Sequence, residues 1–183
     1  MTRCKIAAAY PACVALLCAA ALPSLAPAEA FSPYGTASVR SQPYEPLKYV
    51  VEATAYDPAD VATTLRVAKQ MLSLSPKGSQ MTLVVIGGAI RAFAKENYEK
   101  YQGIVDAAAE LRDAGARIAF CGSSLKGAGF APSDFHGFGE VVSGGYVEIA
   151  ELVGKGYVHI TPPAILAKTK DARYADRPEL KKK

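Results

Sequence analysis

Histidine is scarce in this 183-residue chain, with only His136 and His159, and cysteine is limited to four positions. No His-x-x-x-His or Cys-x-x-Cys spacing occurs, so neither a metal site nor any other cofactor is expected. Also missing are the GxGxxG, GxxxxGKS/T and GxSxG patterns. Their absence argues against a dinucleotide fingerprint, a phosphate loop and the nucleophile elbow of hydrolases. One-sided charge is missing as well. The formal net charge is +4, but residues 168–183 hold seven basic residues against three acidic ones. Residues 31–167 keep 12 basic and 13 acidic residues, so the globular part offers no basic face to a nucleic acid. Half of the residues are hydrophobic and 21% are charged, which excludes a disordered chain.

A long unbroken apolar run is the last absence. Residues 6–25 are apolar and Ala-rich, but Pro11 and Pro23 divide them. The stretch between these prolines is about 11 residues, short of the roughly 20 that a spanning helix needs. With Arg3 and Lys5 before it and Ala28-Glu29-Ala30 after it, the segment reads as a signal peptide over residues 1–30. Cleavage near Ala30 and export, to a periplasmic compartment, are expected; an uncleaved anchor is the alternative. Cleavage would remove Cys4, Cys13 and Cys18 and leave Cys121 alone, so no intramolecular disulfide could form. Residues 31–47 carry Pro33, Pro43 and Pro46 without an apolar period and read as an extended arm. Residues 168–183 read as a basic flexible tail that allows weak contact with a membrane surface.

Residues 48–167 are expected to form one domain in which strands and helices alternate. Strands are predicted over Lys48–Thr54, Met81–Ile86, Arg117–Phe120, Glu140–Val142 and Tyr157–Ile160. Val61, Leu65, Ala68 and Leu72 share one face of a helix for which Asp60 is a plausible N-cap. Ile104, Ala108 and Leu111 mark a second helix, ended by Gly115 as a left-handed cap. A third, capped by Ser143, carries Tyr146, Ile149, Ala150 and Val153. Apolar strands separated by helices predict a three-layer α/β/α sandwich around a five-stranded, mainly parallel sheet. In such sheets ligands collect beyond the carboxyl ends of the strands.

That rule selects Cys121 as the candidate catalytic residue, since it stands where the third strand meets Gly122-Ser123-Ser124. Gly122 permits close backbone approach, and Ser123 and Ser124 are expected to cap a helical turn whose free N–H groups favour a thiolate. The same position also suits a structural cysteine acting as a small hydrophobe. Gly87 and Gly88, after the second strand, are expected to line the same crevice, making Gly87, Gly88, Gly122, Ser123 and Ser124 the candidate substrate-binding set. His136 is a candidate base for Cys121. His159 reads as a packed or edge-strand residue, and Tyr146 and Tyr157 as core or interface aromatics.

Several segments match a known family in order and spacing. They are Ala62-Thr-Thr-Leu-Arg-Val-Ala-Lys-Gln-Met-Leu, Leu83-Val-Val-Ile-Gly-Gly-Ala-Ile, Leu111 through Cys121-Gly-Ser-Ser-Leu, Val141-Val-Ser-Gly-Gly-Tyr and Gly156-Tyr-Val-His-Ile-Thr-Pro. From about Lys48 to Pro162 the chain resembles the DsrE/DsrF-like proteins, which include sulfur-relay subunits of sulfur oxidation and of tRNA thiolation. The resemblance implies a five-stranded parallel sheet, homo- or hetero-oligomers (often trimers or hexamers), and a cysteine ending the third strand that carries a persulfide. Cys121 matches that cysteine by position. The expected function is therefore an exported sulfur carrier or sulfurtransferase-like protein that takes sulfur from a donor and passes it to an acceptor thiol protein. Two alternatives stand beside it: a non-enzymatic ligand-binding or assembly module with a structural cysteine, and a redox-sensing thiol.

Overall fold

The computed structural model describes residues 34–40 and 43–162. The leader over residues 1–30 and the tail over residues 168–183 lie outside the described residues. Residues 43–47 lead into the first strand without helix or strand of their own. The elements that follow are β1 (Lys48–Ala53), α1 (Pro58–Leu74), β2 (Gln80–Val85), a 3-10 turn (Gly87–Phe93), α2 (Tyr98–Asp113), β3 (Arg117–Cys121), α3 (Gly122–Ala128), β4 (Glu140–Val142), α4 (Gly145–Gly154) and β5 (Val158–Ile160). No helix among the described residues is long and apolar enough to cross a membrane.

The five strands form one all-parallel sheet in the order β4-β3-β2-β1-β5. From β1 to β4 the chain steps across the sheet in one direction. Right-handed crossovers then force every intervening helix onto the same face. The larger core lies there, where Val61, Leu65 and Ala68 of α1 and Ile104, Val105, Ala108 and Leu111 of α2 pack on Val51, Leu83 and Phe120. The step from β4 to β5 runs back the other way, so α4 must cross the opposite face. Its Ile149 and Leu152 cover Val50, Val84, Ile86, Ala119 and Cys121. Among the described residues, one ten-residue helix therefore makes the whole third layer.

Three caps differ from the sequence expectations, each for a local reason. Asp57, not Asp60, caps α1, because Pro58 at the first helical position pre-sets the backbone and the Asp57 carboxylate accepts from the Ala59 N–H. Gly144, not Ser143, stands at the N-cap of α4, and no side chain caps this end. Cys121 itself is the N-cap residue of α3, so Ser123 and Ser124 fall inside its first turn instead of capping it. The buried face of α4 is also rotated from expectation. It presents Gly145, Ile149 and Leu152 inward, whereas Tyr146, Ala150 and Val153 are exposed. Gly115, with φ of 100°, does end the α2 turn as a left-handed glycine.

Candidate functional site

Side chains alternate along a strand, and this places Cys121 on the α4 face of the sheet together with Ala119, Val84 and Ile86. The strand ends at the cysteine because Gly122 opens α3 directly. A side chain at Gly122 would put its Cβ 2.7 Å from the Val142 carbonyl oxygen. The close approach at Gly122 is thus made by the backbone of β4, not by a ligand. The Ser123 N–H donates to the Ser143 carbonyl at 3.2 Å and ties the same turn to the segment before α4.

The environment of the Cys121 sulfur is polar, although the residue is only 2% exposed. Ser123 Oγ lies 3.1 Å from the sulfur, and the Gly145 N–H at the start of α4 donates to it at 3.1 Å. Burial pushes the thiol up, but hydrogen bonds from the Ser123 and Ser124 side chains and from the Ser124 and Gly145 N–H groups outweigh it. The net effect is a thiol pKa below the ordinary value. The Gly145 N–H comes from the N-terminus of α4, where the helix dipole adds to the donor.

Gly145 owes its identity to this junction. A Cβ there would stand 2.5 Å from Ile86 Cγ1 and 3.1 Å from the Cys121 Cβ, so only glycine lets the helix start so close to the sulfur. Gly87 and Gly88 lie elsewhere. With Tyr56, Arg91 and Ser124 they line a cavity of about 190 Å³ that Cys121 does not line. The Gly87 N–H donates to Ser124 Oγ at 2.9 Å, and the Tyr56 ring lies so close to Gly88 that a Cβ would meet it at 2.2 Å. Ser124, three residues after Cys121, thus belongs to the cavity, and the expected single crevice is two adjoining places.

His136 is not among the groups that act on Cys121. Its ring stacks on Phe138 with centroids 5.8 Å apart and tilts against Tyr98 at 5.4 Å. Burial first, and then the Lys95 charge, hold its imidazole below the ordinary value against an opposing pull from Asp106. The loop after α3 folds into the aromatic cluster around Phe120, which draws the histidine away from a base's role.

A cluster that residue patterning did not single out lies on the α4 face. Glu52, near the end of β1, has a side chain only 9% exposed. It accepts from Thr161 Oγ1 at 3.2 Å, and His159 Nε2 of β5 lies 2.9 Å from the same oxygen. Slight burial first, and then the Glu52 charge, raise the hydroxyl of Tyr146, the residue after Gly145, above the ordinary range, and Cys121 and Tyr56 add smaller electrostatic effects. The one available signal was a glutamate in the otherwise apolar half of a central parallel strand, where an unpaired charge is costly. No group of His, Cys, Asp and Glu among the described residues could hold a metal ion.

Comparison with known proteins agrees with this architecture. No curated protein matches the chain. Among solved structures, a protein of unknown function, MTH1491, from Methanobacterium thermoautotrophicum superposes with a TM-score of 0.56 at 20% identity. That match covers 63% of this chain and 99% of the other. The ychN protein from E. coli aligns at 16% identity with a TM-score of 0.46, over 65% of this chain and 100% of its own. The model of the DsrE/DsrF-like family matches residues 47–162, well over half of the chain. With its five-stranded parallel sheet and the order of its elements, this chain belongs to the DsrE/DsrF-like family, which is related in general to sulfur relay.

Proposed function

We propose that this protein is a sulfur carrier, sulfurtransferase-like in its chemistry, that holds sulfur as a persulfide on Cys121 and acts after export. The observation that carries the reading is the pair of polar groups on one sulfur, the Ser123 hydroxyl and the Gly145 N–H, each at 3.1 Å. A structural cysteine in an apolar core needs neither of them. Donors of this kind favour S⁻ over SH and would equally favour the terminal sulfur of a persulfide anion.

In the loading step the Cys121 thiolate attacks the outer sulfur of a donor persulfide. A new S–S bond forms to Cys121, the donor's S–S bond breaks, and its electron pair leaves with the donor as a thiolate. In the delivery step an acceptor thiolate attacks the outer sulfur, and the electron pair returns to Cys121. Each exchange is balanced and consumes no oxidant. At 2% exposure the sulfur must be uncovered first. The exposed Val147 and Val153 on α4 support assembly with further copies of the chain, as a trimer or hexamer, which light scattering would count.

Incubation with a sulfane donor is expected to add one sulfur atom to the protein by mass spectrometry, and none to Cys121→Ser. Wild-type protein that stays unmodified under several donors refutes the reading. The near-complete burial of Cys121 favours a second reading, an assembly module with a structural cysteine. Under that reading the thiol resists alkylation at every pH below unfolding.

A further inference from the structure

Two cavities at the carboxyl ends of β1 and β2 take no part in the exchange just described, since Cys121 lines neither of them. One, of about 190 Å³, is walled by Tyr56, Gly88, Arg91 and Ser124. The second, of about 150 Å³, shares Tyr56, Gly88 and Arg91 and adds Pro58, Val61, Ala92 and Tyr101. The first has a polar wall, where the Ser124 hydroxyl is held by the Gly87 N–H at 2.9 Å. The second is mostly apolar, and a cavity of about 150 Å³ is room for one benzene ring. Ligands of parallel α/β sheets collect at this end of the strands.

Arg91 borders both cavities. From Ala89 to Ala94 every other residue is buried, and Arg91 alone is exposed. The buried neighbours fix its backbone, and the Asn97 side chain donates to its carbonyl at 2.9 Å. The guanidinium forms no ion pair among the described residues, and no Asp or Glu lines either cavity. Lys100 adds a second cation, its Nζ 5.4 Å from the centroid of the Tyr101 ring. Both cavities therefore favour a negative charge. The Tyr56 ring is 87% exposed, yet it presses on Gly88 where any larger residue would displace it. An exposed aromatic ring held against a glycine offers a fixed apolar face without belonging to the core. We propose that the two cavities form one binding site for a small aromatic carboxylate. The ring lies between Tyr56 and Tyr101, and the carboxylate pairs with Arg91 beside the Ser124 hydroxyl. The site goes beyond the sulfur chemistry and holds whether or not Cys121 carries a persulfide.

The test is a titration of the full chain with benzoate, followed by heteronuclear NMR of the backbone amides. Saturable shifts are expected at Gly88, Ala89 and Ala92, with a dissociation constant on the order of 1 mM, as the size of the ligand permits. Benzyl alcohol keeps the ring without the charge, and acetate keeps the charge without the ring. Each should bind at least about tenfold more weakly than benzoate. Arg91→Gln should weaken benzoate at least about tenfold, and Tyr56→Ala about fivefold. Both residues are exposed, so the variants keep the fold, and the same spectra verify it. Benzoate that gives no saturable shift at these amides overturns the proposal, as does unchanged affinity in Arg91→Gln or in Tyr56→Ala. Benzyl alcohol or acetate binding as tightly as benzoate also overturns it, since one half of the site would then be idle.

Discussion

Replacing Gly145 by alanine is the substitution whose consequence follows most directly from the packing at the start of α4. The new methyl would lie 2.5 Å from Ile86 Cγ1, 2.7 Å from Ile86 Cδ1 and 3.1 Å from the Cys121 Cβ. Carbon atoms settle at about 3.5–4.0 Å, so roughly 1 Å must be found by moving Ile86 or by lifting the helix. Ile86 is buried, at 4% exposure, and Cγ1 is not the free end of its side chain. The helix start is therefore the part that moves. A shift of about 1 Å there stretches the Gly145 N–H···S contact beyond hydrogen-bond range. Overpacking of this kind costs about 1–3 kcal/mol, partly offset by about 0.5–1 kcal/mol of better helix propensity. The expected result is a net loss of about 0.5–2 kcal/mol in urea unfolding, together with a raised Cys121 thiol midpoint. Ile86→Ala, which removes both clashing carbons, should recover the thiol midpoint when combined with Gly145→Ala. An alanine variant with unchanged stability and thiol midpoint would refute the argument that this glycine sets the sulfur's environment.

Two other outcomes are expected. Gly122→Ala places a Cβ 2.7 Å from a backbone oxygen that has no freedom to rotate away, so a loss of roughly 1–3 kcal/mol is expected in chemical denaturation; an unchanged midpoint would contradict it. His136 has its pKa depressed by burial, so the unfolded chain takes up a proton first as pH falls. Stability owed to the neutral ring is then present above the ordinary histidine value of about 6.5 and lost as pH drops through the folded value. The stability of wild type relative to His136→Phe should therefore decline between about pH 7.5 and 5; a constant difference over that range would show that the ring is not desolvated.

Patterning along the chain already placed the elements. Val61, Leu65 and Ala68 recur at helical spacing and are buried as that spacing requires, and the apolar strands form the parallel sheet that helices on both faces demand. The position of Cys121 at the end of β3 was legible in the same way. Caps were less so. Pro58 shifted the start of α1 to Asp57, and the glycine pair before Tyr146 took the place expected for a serine cap. The face of α4 was misjudged because its sequence is apolar nearly all round, with Tyr146, Val147, Ile149, Ala150, Leu152 and Val153, so spacing alone could not choose the inner side.

Local sequence thus determined which segments become strands and helices, because the period of apolar residues must match the geometry that buries them. It also determined that Cys121 would stand at a strand end. Tertiary structure decided what that thiol touches. Glu52 and His159 are separated by 107 positions and meet only because β5 pairs beside β1, at the far side of the sheet from β4. Gly145 and Cys121, 24 positions apart, meet only because the last crossover returns over the opposite face. Such contacts depend on strand order and on the hand of the crossovers, which no short window of residues contains.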